Sequence, residues 1–153
     1  MLMHSLDKRQ TGVGLIEVLI AVLVLSIGFL GIAALQARSL STNNSAMSRT
    51  QAVIASYSIL DAMRADRTNA LAGVYNQTVT ANNCPTLGSG LSSDQLSVWC
   101  TELENALGGA SASTTGNVTC LATGDCTIII QFDDSRAGPG GSNVQKVITR
   151  AML

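Results

Sequence analysis

From Val13 to Ala37 the chain runs 25 residues with a single charge, Glu17. A bilayer needs about 20 apolar residues, so this pattern predicts a membrane-spanning helix over residues 13–37. The next stretch, Ser39 to Gln51, is polar apart from Leu40, Ala46 and Met47. No proline or glycine occurs between Gly31 and Gly73, so the helix is expected to continue to about Leu71 with this part facing water. Val53, Ile54, Tyr57, Leu60 and Met63 then return at spacings of three and four. That is an amphipathic stripe, and it predicts that residues 38–72 carry the core face of a head domain.

Beyond Gly73 the periodicity shortens. Residues 73–90 are rich in turn formers and read as a loop. Ser92 or Ser93 is placed to cap a short helix to about Leu107, with Leu96, Trp99 and Leu103 on one side and Gly108-Gly109 at its end. Residues 117–121, 127–132 and 144–153 read as three antiparallel strands, with a turn at Thr123-Gly124-Asp125. The expected fold is α+β, a long amino-terminal helix packed on a small antiparallel sheet. Its expected divisions are residues 1–12 (leader), 13–37 (membrane helix), 38–72 (amphipathic helix) and 73–153 (head).

Composition narrows the function. With 9 basic against 10 acidic residues the chain offers no broad cationic face, which disfavours nucleic acid as a partner. The only histidine, His4, lies in the leader, so histidine-based catalysis and histidine-ligated metal are excluded from the remainder. Neither a catalytic site, a cofactor nor a metal is expected. Asp133-Asp134-Ser135-Arg136 before a Gly-rich stretch has the look of a cation loop, but the same residues are common hairpin material. Four cysteines, Cys84, Cys100, Cys120 and Cys126, all follow the apolar segment and so share one compartment. Bridges there would support a head too small to rely on burial alone. Three pairings are possible, and Cys84 with Cys100 and Cys120 with Cys126 is favoured because each closes a short loop around turn-rich sequence.

Glu17 sets the chemistry of the amino-terminal third. A carboxylate in a membrane helix costs about 2.5–3.5 kcal/mol at the bilayer centre and calls for a partner. Lys8 and Arg9 precede the apolar run and orient its amino end toward the cytoplasm. An ordinary secretory signal would have a shorter apolar core.

Lys8, Arg9, Gly12 and the run from Val13-Gly14-Leu15-Ile16-Glu17 resemble the class III leader and helix start of type IV pilins and pseudopilins. The resemblance implies that a membrane prepilin peptidase cuts after Gly12 and methylates the new amino terminus at Val13. Glu17 then becomes the fifth residue, and its carboxylate pairs with a Val13 amine, within one helix at i,i+4 or between subunits. The family more often has Phe then Thr or Ser where this chain has Val13 and Gly14. Ser26 to Gln36, Met63-Arg64-Ala65-Asp66 and the Asp133 to Arg136 ending are similar to PilV-type minor pilins. The resemblance implies a minor subunit that primes or caps a type IV pilus, held in the inner membrane with a periplasmic head before assembly. Its partners would be other minor pilins, the major pilin and the inner-membrane assembly platform. Pseudopilins of type II secretion share the same leader and helix, and a pilus-tip binding module for surfaces or DNA is a further alternative.

Overall fold

The computed structural model describes residues 14–88, 90–108 and 113–153. The chain divides into two compact units, Met1–Arg38 and Ser39–Leu153. Helix α1, Leu15–Ala65, belongs to both.

In the second unit α1 is followed by a short helix α2 (Arg67–Leu71), strand β1 (Thr78–Thr80), helix α3 (Leu91–Leu107) and strands β2 (Thr115–Cys120), β3 (Asp125–Phe132) and β4 (Gln145–Met152). The strands form one antiparallel sheet in the order β1-β2-β3-β4. The architecture is thus α+β, a long apolar amino-terminal helix and a small antiparallel sheet. Alternation writes β3 directly: Cys126, Ile128, Ile130 and Phe132 are buried, while the residues between them face outward. One core cluster joins these to Ile59, Leu60 and Met63 of α1 and Leu96, Trp99 and Leu103 of α3.

Four local expectations are revised. The helix reaches Leu71, but with a break at Asp66, whose backbone (φ −119°, ψ 48°) leaves the helical region. The turn-rich stretch 73–90 contains β1, whose Thr78, Val79 and Thr80 pair with Asn117, Gly116 and Thr115. Three residues are too few for alternation to stand out from the surrounding turn formers. Neither Ser92 nor Ser93 caps α3: the helix follows Gly90 without a side-chain cap, and Asp94 instead accepts from the Gly88 N–H at 2.6 Å.

The fourth concerns the stripe on α1. Leu60 and Met63 are buried, yet Val53, Ile54 and Tyr57 are 40%, 57% and 52% exposed. The buried face is made instead by Ala52, Ala55, Ser56 and Ile59 with Leu60 and Met63. Small residues win because α3 comes in close: the Trp99 indole Nε1–H donates to the Ala55 carbonyl at 2.9 Å. A large side chain at 55 would hold that ring away. Room for Trp99 is made on the sheet side as well, where a Cβ on Gly116 would stand 2.6 Å from Leu103 Cδ1 and 2.8 Å from Trp99 Cζ3.

Candidate functional site

Helix α1 opens with the Glu17 N–H donating to the Gly14 carbonyl at 2.9 Å. Glu17 therefore sits in the first turn, where the aligned peptide dipoles favour a negative charge. Its side chain is exposed. Gly12 and Val13, the two residues of the expected cleavage and methylation site, lie outside the described residues, as does the amine that would meet Glu17.

Every large apolar side chain from Leu15 to Leu35 is more than half exposed, from 51% at Val18 to 82% at Leu15. The helix is long and apolar enough to cross a membrane, and its most apolar stretch is unburied. Such a surface belongs in lipid or against other apolar helices. A Cβ on Gly28 or Gly31 would meet nothing within 4 Å, so both glycines leave backbone open to close approach by another helix.

In the second unit, the polar part of α1 is a docking strip for the segment after β3. Ser45 is buried and its Oγ donates to Asp134 Oδ2 at 2.5 Å. Arg49 Nη2 lies 3.8 Å from the same oxygen and also donates to Gln145 Oε1 at 3.3 Å. Ser41 Oγ donates to the Arg136 carbonyl at 2.8 Å. The water-facing reading of residues 39–51 therefore fails at Ser45. Its signal was present: Ser45, Ala52 and Ile59 follow one another at intervals of seven on the buried face.

Asp133 and Asp134 do not act as a pair. Asp133 is fully exposed, and the backbone and hydroxyl of Ser135 hold its carboxyl below the usual range, while Asp134 turns inward to Ser45. Among the described residues no group of three or more His, Cys, Asp or Glu side chains could hold a metal ion.

The cysteines are joined in two bridges. Cys84, in the loop after β1, bonds to Cys100 of α3. Cys120 and Cys126, directly opposite each other on β2 and β3, close the hairpin mouth. Near the α1–α2 break the buried Tyr75 hydroxyl donates to Asp66 Oδ2 at 3.1 Å and also meets Gln95 Oε1. Burial first, and then the Asp66 carboxylate as acceptor and as charge, push this phenol far above its ordinary value.

The family model of the prokaryotic N-terminal methylation motif matches residues 7–33, which include Gly12, Val13 and Glu17. This segment is type IV pilin-like. Comparison of the chain with curated proteins and with solved structures finds no match.

Proposed function

We propose that the chain is a minor pilin of the PilV type, which helps prime or cap assembly of a type IV pilus and does no catalysis. The reading is carried by one observation, an acidic residue in the first turn of an exposed apolar helix that lies inside the methylation motif. In this scheme prepilin peptidase removes residues 1–12 after Gly12 and methylates Val13. Residues 13–37 hold the subunit in the inner membrane and residues 73–153 form the periplasmic head. The two disulfides suit that oxidising compartment. In lipid, Glu17 seeks the Val13 amine of a neighbouring subunit, because a desolvated carboxylate gains most from a paired cation. Removal of Asp7, Lys8 and Arg9 with the leader leaves 7 basic against 9 acidic residues, which keeps nucleic acid a poor target.

Replacement Glu17→Ala tests the role. The protein should be made and processed, with mass spectrometry finding a methylated Val13 as first residue, while surface pili and twitching fall. Undiminished piliation in a processed Glu17→Ala strain rules the role out. Deleting the gene and assaying motility beside exoprotein release separates this reading from a pseudopilin of type II secretion, since each system predicts loss of a different one.

A further inference from the structure

The sheet ends on one side in β1, three residues long, and on the other in β4, eight residues with no proline and, among the described residues, no partner strand beyond β3. The direction of its free backbone groups follows from one hydrogen bond. Leu153 N–H donates to the Gly124 carbonyl, which makes that opposed pair hydrogen-bonded. In an antiparallel ladder hydrogen-bonded and open pairs alternate, so Val147, Thr149 and Ala151 bond to β3. Lys146, Ile148, Arg150 and Met152 consequently turn their N–H and C=O groups to the open edge. The Gln145 side chain, 3.4 Å from the Lys146 carbonyl, meets one of them there. Such an edge is a template for another strand.

Side chains say what strand would fit. Lys146, Ile148, Arg150 and Met152 are all exposed on the outer face of the sheet. Neither cation takes part in the ion pairs Arg49–Asp134 or Arg64–Asp61, and their cross-strand neighbours, Gln131 and Thr127, are uncharged. The other face is incompletely covered at this edge, since Val147, Thr149 and Ala151 are only half-buried. Arg49 marks the side of α1 that reaches β4, through Gln145. Val53 and Tyr57 follow Arg49 by four and eight residues on that side, and both are substantially exposed. A further strand would therefore have an apolar wall inward and a cation-apolar-cation row outward.

We infer that the β4 edge accepts an extended segment of a different protein, one with apolar residues at its inward positions and acidic residues flanking an apolar one at its outward positions. A second copy of this chain fits poorly. Antiparallel β4–β4 pairing centred on Ile148 sets Lys146 opposite Arg150 twice, and centring on either cation sets it opposite itself. Centring on Val147 or Thr149 avoids direct opposition but sets the two Lys146 or the two Arg150 side chains diagonally across from each other, so like charges face one another in each of these registers. The inference stands apart from the pilus reading, because it uses only the second unit.

Hydrogen exchange on the full chain in detergent micelles tests it, with the peptide Thr-Asp-Val-Val-Val-Glu-Val-Thr as probe and a version carrying Lys for both acids as control. The acidic probe should slow exchange across residues 145–152, and the basic control should not. Reversing both cations, Lys146→Glu with Arg150→Glu, should weaken the acidic probe by about tenfold and let the basic one protect instead. Ile148→Pro removes an edge donor without touching the β3 ladder, so it should abolish protection while leaving thermal unfolding nearly unchanged. Equal protection by both peptides, or none at millimolar peptide, overturns the inference. Protection of β4 that grows with protein concentration in the absence of peptide also overturns it, by assigning the edge to a second copy.

Discussion

The hydroxyl of Ser45 donates to the carboxylate of Asp134, 89 residues away, and so ties the polar part of α1 to the segment leaving β3. A buried carboxylate is sensitive to the loss of a donor, since the group left behind keeps its full desolvation cost. Ser45→Ala should destabilise the second unit by about 1–3 kcal/mol. Ser41→Ala, which removes an exposed bond to the Arg136 carbonyl, should cost less than about 1 kcal/mol. Denaturant unfolding of the two variants reads the difference, and equal effects would count against burial as the cause.

Gly116 is fixed by crowding rather than by backbone angle. Its missing Cβ is the space occupied by Trp99 and Leu103, and Trp99 is held from its other edge by the Ala55 carbonyl. The indole cannot retreat without losing that bond. Gly116→Ala should therefore destabilise by about 1–3 kcal/mol, the range for overpacking, although alanine favours a strand more than glycine does. Thermal unfolding followed by tryptophan fluorescence, with a red-shifted folded-state emission, would report the displaced ring; an unshifted melt would show that the contact relaxes freely.

Length and alternation made the larger elements legible, and they failed where a single contact decides. The apolar part of α1 needed only a count of apolar positions, and β3 carries its alternation openly from Cys126 to Phe132. The core face of α1 departs from its most hydrophobic stripe because side-chain size decides it. Val53, Ile54 and Tyr57 are larger than Ala52, Ala55 and Ser56, but only the small trio lets α3 approach the helix backbone. Ser45 was hidden for a related reason: its polarity suggests water, and the acceptor that makes burial acceptable, Asp134, lies at the far end of the chain. The Gly12–Val13 pair and Glu17 could be read as a motif, since they lie within six residues of one another and need no fold to be recognised.

The two disulfides should contribute unequally. In the chain-entropy account a loop of about 15 residues gives about 3 kcal/mol and stabilisation rises with loop length. Cys84–Cys100, separated by 16 residues, should therefore give about 3 kcal/mol, and Cys120–Cys126, separated by 6, about 2 kcal/mol. Paired replacement by serine, one bridge at a time, tests the order in non-reducing denaturant melts. Loss of the shorter bridge should be the milder change, because β2 and β3 remain registered by their own ladder. A reversed order would mean that Cys84–Cys100 spans a segment already ordered without it.

Tyr75 gives the second unit an alkaline limit. Its ordinary value is 10.0, and in the folded chain burial and the Asp66 carboxylate hold the phenol protonated well above that. The sign follows from linkage. Below about pH 10 the phenol is neutral in both folded and unfolded chains and adds no pH dependence; above it the unfolded chain alone releases the proton, so stability falls as pH rises toward the folded-state value. Tyr75→Phe loses the bond to Asp66 at every pH, but it should flatten this alkaline limb. Subtracting the variant's stability from that of the parent cancels any pH dependence that both share. The difference should be constant from neutral pH to about 10 and shrink above it. Ultraviolet titration in a Tyr57→Phe background should show the Tyr75 phenol ionising only as the chain unfolds. Ionisation of that phenol in the still-folded protein would place Tyr75 in contact with water and remove the limit.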